Sequence, residues 1–94
     1  MPVIVEIAKE RERQISSEGY HYGHDDAHHT GDLARLAAMY AIPETDHVYQ
    51  AMCEGWGDVP DWHKPKDRRR DLIRAAALIV AEIERLDRAA EIAR

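Results

Sequence analysis

From Asp67 to Ile92 the chain contains neither glycine nor proline, and its apolar residues recur at helical intervals. Leu72, Ala76, Ile79, Ile83, Leu86 and Ala90 are separated by 4, 3, 4, 3 and 4 positions, which is a heptad seam. Ile73, Ala77 and Val80 add a second apolar row, so the stripe to be buried is wide. The spacing predicts a helix over 67–92, roughly 39 Å long at 1.5 Å per residue. A compact monomer of 94 residues does not need so long a helix. Either an N-terminal helix packs along most of it, or part of the stripe meets another subunit. The expectation is an all-α fold: one domain over 1–94, a small helical bundle with a long C-terminal helix that self-associates into a homo-oligomer.

The rest of the chain divides at its glycines and prolines. Ile4, Ile7/Ala8, Arg11 and Ile15 recur every three or four residues, predicting a helix over about 3–18 that stops at Gly19. Arg11 interrupts that stripe, with its aliphatic stem able to cover core. Glu6, Glu10, Arg13 and Glu18 are assigned to solvated faces. Leu33, Leu36, Ala37 and Tyr40 mark a second helix over about 32–41, capped by Thr30 and barred from continuing by Pro43. An earlier start capped by Asp25 or Asp26 would put His28 and His29 inside it. A short helix is expected over 46–54, with Val48, Tyr49, Met52 and Cys53 inward.

Composition narrows the classes. Charged residues make up 33% and hydrophobic ones 45%, a soluble globular balance. Cys53 is the only cysteine, so there is no internal disulfide, and a reducing compartment is expected. Val3-Ile4-Val5 is too short for a signal peptide, and no apolar run approaches the roughly 20 residues that cross a bilayer. No membrane role is expected. The net charge of −5 is uneven, −7 over residues 1–58 and +2 over 59–94. General nucleic-acid binding wants a basic domain and ranks low.

Three clusters could carry chemistry. Lys64-Pro65-Lys66-Asp67-Arg68-Arg69-Arg70-Asp71 places five cations where the last helix begins, with Asp67 as N-cap. A helix N-terminus is already positive and holds spare N–H groups, so something negative must lie close by. That partner is either a bound anion or the chain's own acids, with Asp25, Asp26, Asp61 and Asp71 numerous enough to serve. The connection from Gly19 to Gly31 is rich in Tyr, His and Asp. If it is helical from Asp25, then His24/His28 and Asp25/His29 become i, i+4 pairs. Imidazole and carboxylate suit zinc, manganese or iron, yet no sharp metal motif is present. His24, His28 and Asp25 are weak metal candidates, and the alternative is that the aspartates cap a helix and pair with arginine. Tyr20, Tyr22, Trp56 and Trp62 adjoin these clusters and could stack on a ring or plug the core edge. No nucleophile stands in triad-like context, and no cofactor is expected.

Two resemblances extend this reading. Glu10-Arg11-Glu12-Arg13-Gln14-Ile15 through Glu18-Gly19-Tyr20, His24-Asp25-Asp26, Lys64 to Leu72, and Ala81-Glu82-Ile83-Glu84-Arg85-Leu86 together resemble small helical proteins encoded by tailed phages and prophages. That resemblance implies an accessory viral protein in a bacterial host cytoplasm and no particular reaction. Glu18-Gly19-Tyr20-His21-Tyr22-Gly23 and Asp67 to Asp71 are similar to the ryanodine-receptor-type repeat domain. The usual His-Pro-x-Leu segment is replaced by His29-Thr30-Gly31-Asp32-Leu33. Bacterial versions of that domain look like nucleotide-ligand modules.

The expectation is therefore a phage accessory protein that binds a small anionic, nucleotide-derived ligand without turning it over, for instance to sequester a host defence signal. Tyr20, Tyr22 and Trp62 would stack on the ring, and Lys64, Lys66, Arg68 and Arg69 would meet phosphate. His24, Asp25, Asp26 and His28 would orient the basic turn or the ligand's hydroxyls. One alternative is a metal-dependent nucleotide (pyro)phosphohydrolase of all-α type using Asp25, Asp26, His28 and Asp71. Such enzymes carry Glu-x-x-Glu and Glu-x-x-Asp pairs, whereas Glu6/Glu10 and Asp67/Asp71 are four apart. The other alternative is a protein-binding inhibitor of a host defence complex that uses the acidic N-terminal half.

Overall fold

A computed structural model describes residues 2–17, 32–56 and 67–92. Among the described residues there are four helices and no strand: α1 (Val3–Ser17), α2 (Asp32–Ala41), α3 (His47–Trp56) and α4 (Arg68–Ile92). The protein is all-α with a long C-terminal helix, and no described helix is long and apolar enough to cross a membrane.

Local chemistry sets the boundaries. Asp67 caps α4: its Oδ1 accepts the Arg70 N–H at 2.9 Å and its carbonyl accepts the Asp71 N–H at 2.9 Å. Asp46 caps α3 the same way, accepting the Val48 N–H at 2.8 Å. The Pro2 carbonyl receives the Val5 and Glu6 N–H groups, which opens α1 on a residue with no N–H of its own. After Ala41 one further turn bond, Ile42 N–H to Ala38 O, precedes Pro43.

The core lies between α2 and α4. Leu33, Leu36, Ala37 and Tyr40 of α2 pack on Ala75, Leu78 and Ala81 of α4, and Ala41 closes the edge. The alanines let the two backbones approach, and the leucines fill the space between them. Arg74 adds a cation over the Tyr40 ring, 5.6 Å from its centroid.

α4 has three sides. One faces α2. A second meets α1, whose buried residues there are Glu10, Arg11 and Gln14 rather than an apolar row. The third is open, so only part of the wide apolar stripe is buried within the single chain. Leu72, Ile79, Ile83 and Leu86, four members of the heptad seam, are 45%, 49%, 52% and 53% exposed, while Ile73, Ala77, Leu78 and Ala81 are buried. These four side chains stay largely uncovered by α1 and α2, while Ala76 of the same seam borders α1.

Two smaller assignments change as well. Glu10 belongs to the interior and not to a solvated face, because three side chains satisfy it there. Val48 is exposed, whereas Tyr49 on the same helix is buried.

Candidate functional site

The cations that open α4 are answered from within the chain. Arg68 donates to the carbonyls of Tyr40, at 3.5 Å, and of Ala41, the last residues of α2. A helix C-terminus has unsatisfied carbonyls and partial negative charge, so it neutralises a guanidinium without any carboxylate. Arg69 makes a two-pronged pair with Glu6 of α1, at 2.7 and 2.9 Å. That contact holds the Glu6 carboxyl below its ordinary value and raises the Arg69 guanidinium.

Arg70 reaches Glu10, the centre of the α1–α4 contact. Glu10 also accepts from Arg13 Nε at 2.8 Å and Nη2 at 2.7 Å, and from Gln14 Nε2 at 3.3 Å. The same Gln14 nitrogen donates to the Arg74 carbonyl at 3.4 Å, tying α1 to the α4 backbone. Burial pushes the Glu10 carboxyl up, but the Arg13 hydrogen bonds and the charges of Arg13, Arg70 and Arg74 outweigh it and hold it low. Further along, Arg11 Nε bonds Glu84 at 3.1 Å.

Two hollows flank this contact. A charged cleft of about 290 Å³ is lined by Glu6, Lys9, Glu10, Arg13 and Arg70. An apolar groove of about 350 Å³ runs between Ile4, Ile7 and Ala8 of α1 and Ala76 and Val80 of α4, with the Arg11–Glu84 pair on its wall. Ala76 belongs to both the groove and the open seam, so the two form one continuous apolar surface. Ile4, 73% exposed, borders it.

Of the residues singled out for ligand binding, Arg68 and Arg69 lie within the described helices, and both have partners. Tyr20, Tyr22, His24, Asp25, Asp26, His28, Trp62, Lys64 and Lys66 lie outside the described residues. So does the expected His/Asp metal cluster, and among the described residues no group of three or more His, Cys, Asp or Glu could hold a metal ion. Sequence reasoning missed Glu6 and Glu10 as the partners of the basic turn. The available signal was a shared spacing: Glu6, Glu10 and Gln14 step by four on one face of α1, opposite Arg69, Arg70 and Arg74. On α3, burial and the neighbouring Cys53 push the Tyr49 hydroxyl up to about 12, so it stays protonated as a packed, polar-tipped core residue.

The chain matches no family model, no curated protein and no solved structure.

Proposed function

We propose that this chain is a non-catalytic docking module whose working surface is the open side of α4 together with the α1–α4 groove, and that it receives an amphipathic helix there. The observation that carries this reading is the contrast within single turns of α4. Ala77, Leu78 and Ala81 are fully buried, while Ile79 and Ile83 beside them are half exposed. Apolar residues aligned over five helical steps are costly to leave in water and are what a helix-in-groove partner covers. The charged groups at the start of α4 favour the same choice. Glu6, Glu10 and the end of α2 already engage Arg69, Arg70 and Arg68, so the basic turn serves to assemble the bundle.

A nucleotide-derived ligand and a phage accessory role are proposals of a different kind. The residues that would stack on a ring or meet phosphate first, Tyr20, Tyr22, Trp62, Lys64 and Lys66, lie outside the described helices. Arg68 and Arg69 would join them while already engaged by the end of α2 and by Glu6.

Fluorescence anisotropy of labelled three-heptad helical peptides, titrated with dilute full-length protein, tests the docking reading. Saturable binding in the micromolar range is expected, and it should be lost in the double variant Ile79→Glu/Ile83→Glu at unchanged helicity. Absence of binding by every heptad peptide, or equal binding by the variant, contradicts it.

A further inference from the structure

We infer that the helix received by the open side of α4 is α4 of a second copy, packed antiparallel about a two-fold axis; this rests on the docking reading and names its partner. The argument begins with residue sizes along the seam. In an antiparallel pair with Ile79 opposite Ile83 of the other copy, the same offset sets Leu72 opposite Ala90 and Ala76 opposite Leu86. Every seam residue finds a partner, each leucine faces an alanine, and the two isoleucines face each other. Large-against-small layers of this kind interdigitate without voids. A parallel pair would stack Ala76 on Ala76 and Ala90 on Ala90, leaving thin layers between bulky ones. The seam is therefore self-complementary in one direction only.

Charge points the same way. Residues 67–74 carry four arginines against two aspartates, and residues 82–92 carry four acids against two arginines. An antiparallel arrangement opposes the two helix dipoles and separates the two acidic ends, the arginines at the start of α4 being already engaged by Glu6, Glu10 and the end of α2. A parallel one superposes like ends. The exposed seam from Leu72 to Ala90 is roughly 27 Å long at 1.5 Å per residue, long enough for a continuous helix–helix contact. Because the groove shares Ala76 with the seam, Ile4 and Val80 border the same contact from the α1 side. The result is an isologous dimer centred on the α4 pair, with α1 of each copy at its border.

Sedimentation equilibrium of the full chain, from low micromolar to submillimolar concentration, reads the association directly. A monomer–dimer equilibrium is expected, weakened at least about a hundredfold by Ile79→Glu/Ile83→Glu, since each would bury a charge. Both residues are solvent-exposed in the single chain, so the variant keeps its helicity, checked by circular dichroism. Direction is read from a nitroxide at Glu91→Cys in a Cys53→Ser background. Antiparallel pairing places the two labels about 30 Å apart from the helix rise, and parallel pairing brings them together. A chain that stays monomeric, a dimer indifferent to the two glutamates, or a short label distance each overturns the inference. A monomer that still binds heptad peptides overturns the self-pairing alone; a monomer that binds none overturns the docking reading with it.

Discussion

Glu10 is the residue on which the α1–α4 contact turns. Its side chain is fully buried, yet it is ionised, because Arg13, Arg70 and Gln14 supply donors to both carboxylate oxygens. Removing it takes a buried carboxylate away from two guanidiniums whose side chains are only 33% and 37% exposed. Glu10→Ala is therefore expected to destabilise the fold by about 2–3 kcal/mol, less than for a wholly buried pair because water can reach the arginines. In thermal denaturation this is a fall of roughly 10 °C or more for a domain of this size. The acid dependence follows from the direction of its shift. A carboxyl held lower in the folded chain than in the unfolded one contributes fully above the ordinary carboxylate value. That contribution is lost as pH falls through the lower, folded value. The parent should lose stability progressively below about pH 4.5, and Glu10→Gln should show a shallower loss over the same range. Parallel pH curves for the two proteins would contradict this assignment.

At the scale of the helix, α4 shows what a sequence pattern can and cannot say. The existence of the four described helices was legible from capping residues, prolines and apolar spacing, although α3 runs on through Gly55 to Trp56 rather than ending at Glu54, and Leu33, Leu36, Ala37 and Tyr40 are the buried face that the pattern implies. Which stripe of α4 is buried was not legible, because Leu72-Ala76-Ile79-Ile83 and Ile73-Ala77-Val80 are both apolar rows. The choice is made by α2, whose leucines need small partners and find them at Ala75 and Ala81 rather than at Ile79 or Ile83. The polar α1 interface was illegible for a related reason: Glu10 and Gln14 look solvated until Arg70 and Arg74 are known to lie opposite. The neighbours Leu78 and Ile79 separate the two rows experimentally. Measured on dilute protein, Leu78→Ala should lower stability by about 2–4 kcal/mol, and Ile79→Ala by less than about 1 kcal/mol. Similar losses at the two positions would mean that the open row is packed in the single chain.

For the whole molecule, the described helices cover α4 on two sides and leave the third open. Its arginine-rich turn, the strongest local signal in the sequence, is accounted for by α1 and the end of α2. The surface that remains distinctive is apolar and long, and in the proposed dimer its residue sizes complement those of a reversed copy. The Tyr/His-rich connection and the Trp/Lys loop were legible only as compositions, since no spacing in them fixes a partner. Methyl NMR with a soluble paramagnetic agent reads the openness of that surface, recorded at a concentration low enough to keep the chain monomeric. The isoleucine methyls of Ile79 and Ile83 should be strongly broadened while those of Ile73 and Leu78 are spared, and the broadening should fade as concentration rises. Protection of Ile79 and Ile83 equal to that of Leu78 in the dilute monomer would contradict the account.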